Sequence, residues 1–227
     1  MPHTLSPHSF RALVVAMMIV MSWPVAGADF STYRDFTLGT STADVLARAG
    51  ASQRDVKKLH ERPALLEDLA WRPPYKSNIV DRDSVAVIAF SFIDGRLFRM
   101  VVDYDRSRTE GLTKDDMIAS LAGVYGPRST VSVPAAPRTT FDSFDAPAVL
   151  ATWRQGDAAI TLHQLPFSRG FGLVITSLSL AELAGKAQAT AVNMDAREAP
   201  LRAKTEADAA RAAEELARTA NKAGFKP

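Results

Sequence analysis

The residues that could do chemistry in this chain are few and dispersed. Beyond the first 28 residues the histidines are His60, followed by Glu61, and His163. A zinc site needs three or four ligands at clustered spacings such as H-E-x-x-H. Neither histidine has such neighbours, so both are expected to be ordinary surface or half-buried side chains. Asp103-x-Asp105-x-Ser107 opens like a calcium loop. Such a loop needs glycine at its sixth position and glutamate at its twelfth, where this chain has Arg108 and Lys114. Those cations would repel the ion, and the segment reads as a charged connection. Phe141-Asp142-Ser143-Phe144-Asp145 offers a carboxylate pair that could work as acid and base or hold a cation. The commoner use of such a pattern is to tuck the rings onto the body and leave the acids in water. No G-x-S-x-G elbow, S-x-x-K pair or glycine-rich phosphate loop is present. An enzyme would have to combine Asp142 and Asp145 with His163, whose spacing shows no organisation. The sequence therefore assigns no catalytic residue, no metal ligand and no cofactor.

Recognition chemistry is better represented. In Trp71-Arg72-Pro73-Pro74-Tyr75 two adjacent prolines favour an extended arm, and Trp, Arg and Tyr are the types most enriched in interface hot spots. The structural alternative is a rigid crossover whose Trp71 plugs the core. With the aromatic–acidic loop, the candidate interaction residues are Trp71, Arg72, Tyr75, Phe141 and Phe144.

The elements that must position these residues are punctuated clearly. Ser41 with Asp44 three residues on starts a helix that Gly50 ends in a left-handed cap. Asp55 to Trp71 follows neither period, and Pro63 forbids one continuous helix; a helix or strand, a turn and a second short piece are expected. Val85 to Ile93, Asp94-Gly95, and Arg96 to Tyr104 form the clearest element, because Asp-Gly supplies the two positive-φ residues of a two-residue hairpin. An unbroken register would oppose Phe92 to Leu97, Phe90 to Arg99 and Ile88 to Val101. Both faces are apolar, so the hairpin should lie centrally in its sheet. Thr113 with Asp116 starts a second helix that stops at Gly126-Pro127. Residues 127–147 carry four of the 13 prolines and read as a long loop. Strands follow at Val149 to Trp153, Ala158 to Leu165 and Gly172 to Leu178.

Two spans echo each other at an offset of 72 residues: Gly39-x-Ser41-x-x-Asp44-Val45-Leu46-Ala47 and Gly111-x-Thr113-x-x-Asp116-Met117-Ile118-Ala119. Leu69-Ala70-Trp71-Arg72 has a looser echo in Leu150-Ala151-Thr152-Trp153-Arg154. The expected fold class is α+β, with two tandem helix-plus-antiparallel-meander units, about 29–110 and 111–180, packed together as a globular domain of residues 29–180. Residues 181–227 form an Ala- and charge-rich tail, with Glu182/Lys186, Glu198/Arg202 and Glu214/Arg218 at i,i+4. Its large apolar residues are too sparse for a coiled-coil seam. Pro200 suggests two helices, the second largely solvated.

Residues 1–28 have the form of a signal peptide: Arg11, an apolar run from Ala12 to Met21, Trp23-Pro24, and an Ala26-Gly27-Ala28 cleavage triplet. Position 28 is alanine where a lipobox would need cysteine, so cleavage after Ala28 would leave an untethered periplasmic or secreted protein. Removing 28 of the 227 residues leaves 199. The leader holds one of the 27 basic residues and none of the 25 acidic ones, so the remainder has a formal charge of +1. That argues against nucleic acid as a partner. The absence of cysteine excludes disulfides, thiol catalysis and thiolate metal sites together. No other apolar run approaches a membrane span.

The capped helix containing Leu38-Gly39-Thr40-Ser41 and Asp44-Val45-Leu46, with the hairpin around Gly95-Arg96-Leu97-Phe98, resembles a group of uncharacterised exported bacterial proteins. Those share stretches like Tyr104-Asp105-Arg106 to Thr113 and His60-Glu61-Arg62-Pro63-Ala64-Leu65, and the resemblance implies no activity. More distantly, a helix opening Gly-x-Ser before a meander is similar to BamE-like and β-lactamase-inhibitor-protein-like domains, which bind envelope proteins and catalyse nothing. The missing lipobox cysteine departs from BamE. The expected function is therefore a non-catalytic, protein-binding module of the cell envelope. The alternative is a small-ligand-binding or hydrolase-inhibitor module using the sheet face. The partner, its ligand and the oligomeric state are not set by the sequence.

Overall fold

The computed structural model describes residues 28–74, 83–130, 148–165 and 170–226. Tyr75, Phe141, Phe144, Asp142 and Asp145 lie outside them. A short ribbon of β1 (Thr32–Tyr33) and β2 (Phe36–Thr37) precedes helix α1 (Thr42–Ala49). Strands β3 (Val56–His60), β4 (Leu66–Trp71), β5 (Val85–Ile93) and β6 (Arg96–Tyr104) follow. After a single turn α2 (Arg106–Thr109) comes helix α3 (Lys114–Tyr125), then β7 (Ala148–Gln155), β8 (Ala158–Gln164), β9 (Phe171–Ser177) and a 47-residue helix α4 (Leu178–Gly224). Strands β3 to β9 make one antiparallel sheet in the order β3-β4-β5-β6-β9-β8-β7. The fold class is α+β.

Local chemistry accounts for most element ends. Ser41 Oγ accepts the Asp44 N–H at 3.1 Å, and Gly50 closes α1 in the left-handed region at φ 63°. Thr113 and Asp116 form a complete capping box on α3. Asp94 and Gly95 both have positive φ, 46° and 70°, and turn β5 into β6, the third and fourth of seven strands. The ambiguous stretch after Ser52 resolves into a 3₁₀ turn and the β3–β4 hairpin.

The β5–β6 register corrects the unbroken one. Phe92 does oppose Leu97, but a bulge at Phe98 then pairs Ser91 with Arg99, Phe90 with Met100 and Ile88 with Val102. The physical reason is burial. An unbroken register would place the Arg99 cation in the apolar face, and one extra residue moves it to the opposite face.

Two cores result. On one face Leu69, Phe90, Met100, Ile175, Ile160 and Trp153 run in register across six strands, all fully buried. The ribbon residue Phe36, Val45 and Leu46 of α1, and Met117 of α3 pack onto this face. On the other face Leu66, Ile93 and Phe98 pack under the first turns of α4, through Leu180, Ala181, Ala184 and Ala187. Beside that patch lies a buried polar row, Asp68, Ser91, Arg99 and Thr176, each the cross-strand partner of the next.

The order β4-β5-β6-β9-β8-β7 is symmetric about the β6–β9 junction, with β3 added outside β4. Each half also ties its helix to its outer strand through a tryptophan. Trp71 Nε1 donates to Ala49 O at 2.8 Å, at the end of α1, and Trp153 Nε1 donates to Gly126 O at 2.9 Å, at the end of α3.

Candidate functional site

Two features of the described residues stand outside the core logic: the course of α4 and a polar cluster at the foot of the sheet. Helix α4 begins without a loop at the end of β9, three residues before the tail expected from composition. Ser177 caps it, its Oγ accepting the Leu180 N–H at 3.3 Å. Asp157, in the β7–β8 turn, adds a second cap from across the sheet. Its carboxylate accepts Ser177 Oγ at 2.6 Å, Ser179 Oγ at 2.9 Å and the Ser179 N–H at 2.9 Å. Burial tends to raise the Asp157 pKa, but these hydrogen bonds outweigh it and hold the carboxyl below its usual range.

From that anchor, Leu180, Ala184, Ala187 and Ala191 form the docked stripe, at i, i+4, i+7 and i+11. Alanines let the helix backbone lie close to the sheet. One and two turns further the same stripe becomes acidic. Asp195 stands 3.6 Å from His60 Nδ1, and Glu198 takes Arg62 at 3.0 Å. Past Glu198 the helix leaves the domain, and residues 199–226 are all exposed. Leu216 is 72% and Phe225 77% exposed. The helix does not break at Pro200, which lies inside it; the good helix formers around it carry the helix through a missing hydrogen bond. The expected ion pairs are partly rearranged. Glu182–Lys186 forms at 2.6 Å, whereas Glu198 turns to Arg62, Arg202 to Asp195, and Arg218 to Glu215.

The second feature gathers residues far apart in sequence. Arg34, at the β1–β2 turn, has φ 55°, a left-handed conformation that favours glycine. Its guanidinium grips Asp83 with two nitrogens, at 2.7 and 2.5 Å, and lies 5.6 Å from the centre of the Tyr33 ring. The Asp83 hydrogen bond holds the guanidinium firmly protonated. Tyr104, at the end of β6, and Tyr125, at the end of α3, both lie close enough to Tyr33 to be influenced by it. Burial pushes the Tyr104 phenol well up, with Tyr33 adding to the effect, and burial also raises Tyr125. Phe30 meets Tyr125 edge-on at 5.3 Å, and Tyr125 leans on Trp153 at 6.3 Å. The result is an arginine fork that holds a carboxylate and lies against the Tyr33 ring, with Tyr104 beside it. Sequence reasoning missed it, since Arg34 and Asp83 are 49 positions apart and no spacing signal joins them.

The sequence-derived candidates fall elsewhere. Trp71 is half-buried, edge-on to Phe36 at 5.7 Å and bonded to Ala49, so it serves the core. Arg72 follows it, exposed. Tyr75, Phe141 and Phe144 lie outside the described residues. Asp105 proves to be the N-cap of α2, accepting Ser107 N–H at 2.8 Å and Ser107 Oγ at 2.6 Å. Among the described residues no three His, Asp or Glu side chains gather as metal ligands, and no helix is long and apolar enough to cross a membrane. No family model matches the chain, and no curated protein or solved structure is significantly similar to it.

Proposed function

We propose that this protein is a non-catalytic binding module that meets another protein of the cell envelope through the distal half of α4. The observation that carries the reading is the helix itself: residues 199–226 project from a packed domain and bury nothing. The exposed helical part, residues 199–224, is about 39 Å long at 1.5 Å per residue, and in proteins most helical stability comes from packing an amphipathic face rather than from propensity. Its pattern is that of a helix built to be covered. Ala209, Ala213, Leu216 and Ala220 repeat the 4-3-4 spacing of the docked Leu180, Ala184, Ala187 and Ala191. Arg211, Glu215, Arg218 and Lys222 line the opposite side.

Export is part of the same reading and is supported by the leader composition. N-terminal sequencing of protein recovered from the periplasm tests it, with Asp29 expected as the first residue. The two halves are read as copies of one unit, supported by the symmetric strand order and the paired tryptophan–carbonyl bonds. The functional test removes residues 201–227 from the tagged protein. The core should unfold as before, and the partner recovered from native envelope extract with the full chain should be lost. Equal recovery by both proteins would refute the role of α4.

A further inference from the structure

We propose that Arg34, with Tyr33 and Tyr104 beside it, is a binding site for a carboxylate ligand, occupied in the resting protein by the chain's own Asp83. The proposal does not depend on the role of α4. It starts from geometry. A guanidinium fork matches a carboxylate through two parallel hydrogen bonds, and Asp83 shows that this fork takes one in that way. The pair is not sealed in the core: the Arg34 and Asp83 side chains are 31% and 29% exposed. A solvent carboxylate can therefore reach the fork if Asp83 yields. Asp83 has a second partner to fall back on, since its Oδ1 also accepts the Val85 N–H at 2.9 Å.

Two further observations set this pair apart from an ordinary surface ion pair. Arginine occupies a left-handed position that glycine would take without strain. The turn thus holds one particular side chain against the Tyr33 ring. Burial raises the Tyr104 phenol, with Tyr33 adding to the effect, so Tyr104 beside the fork is neutral and does not repel an incoming carboxylate. The Tyr33 ring against the guanidinium suits a ligand whose carboxylate sits on a small apolar body. Two sources share this chemistry, a free organic acid and the C-terminal carboxylate of a peptide.

The test titrates the full protein with acetate, with a tripeptide carrying a free C-terminus, and with the same tripeptide amidated. Binding is read from the Arg34 side-chain and Tyr33 backbone NMR signals. In the native chain binding should be weak, because Asp83 competes. Asp83→Ser keeps an acceptor for the Val85 N–H but frees the fork, and should bind acetate at least about tenfold more tightly, corresponding to about 1.4 kcal/mol. Arg34→Lys in the Asp83→Ser background keeps the charge, loses the fork and should abolish that gain. Tighter binding of the free tripeptide than of acetate assigns a peptide terminus; equal binding assigns a small acid; the amidated peptide should not bind in either case. Near-UV circular dichroism confirms the fold of each variant, and Asp83→Asn serves in the same role if Asp83→Ser is unfolded. No gain on removing the Asp83 charge, or a gain that survives Arg34→Lys, overturns the proposal.

Discussion

Replacing Asp157 by alanine should loosen the start of α4 and destabilise the fold by about 2 kcal/mol. The carboxylate holds three side-chain-to-helix hydrogen bonds, two from Ser179 and one from Ser177. Hydrogen bonds to a charged group contribute roughly 1.5–3 kcal/mol each, but Asp157 is exposed and the three share one carboxylate. Discounting for solvent brings the sum to about 2 kcal/mol, the upper end for loss of a helix N-cap. Asp157→Asn keeps an acceptor without the charge and should lose about 1 kcal/mol. The pH dependence follows from the depressed carboxyl. A group whose folded pKa lies below its unfolded value of about 3.9 contributes fully above that value and loses its contribution as pH falls through the folded pKa. Native protein should therefore exceed Asp157→Asn in stability near pH 7, and the two should converge as pH falls below the usual aspartate range and the native carboxyl protonates. The assay is urea unfolding followed by tryptophan fluorescence, which reports the fully buried Trp153. A gap that does not change with pH, or an alanine variant within about 0.5 kcal/mol of native, would refute the clamp.

Three other perturbations probe the fold and the helix. Trp153→Phe should cost about 2–3 kcal/mol, because it removes the Gly126 bond and leaves a gap in a fully buried site; Trp71→Phe, half-exposed, should cost about 1 kcal/mol, both measured by thermal unfolding. Ser91→Ala should be neutral or stabilising by up to about 1 kcal/mol, since Ser91 is 1% exposed and its hydroxyl has no hydrogen-bond partner among the described residues; a clear loss in urea unfolding would show a bond that this conformation lacks. Pro200→Ala restores an N–H to an exposed helix and should favour the helix by up to about 3 kcal/mol. That gain should appear as slower amide exchange around residue 200, with the core's unfolding midpoint unchanged.

Where an element depends on its neighbours in the chain, it was legible. Asp94-Gly95, Ser41 with Asp44, and Thr113 with Asp116 set their turn and caps by short-range hydrogen bonds and by φ, and the structure has each of them. The bulge at Phe98 was not legible, because it answers a demand from the far side of the sheet: Arg99 must leave the row that Phe90 and Met100 fill. Pro200 misled for the opposite reason. Local preference argued for a break, while the helix formers on both sides carry α4 through. Trp71 had the composition of a hot spot, yet its indole is spent on the end of α1.

By itself the sequence determined what depends on composition and on neighbours along the chain: an α+β class, a central hairpin, two capped helices, a polar helical tail and no thiol chemistry. Only the tertiary structure decided which distant side chains share a surface. It brought Arg34 to Asp83, Tyr33 and Tyr104, set Asp157 under α4, and left the last half of that helix uncovered. The physical reason is that caps and tight turns are satisfied within a few residues, whereas register, sheet order and convergent side chains are fixed by burying both sheet faces at once.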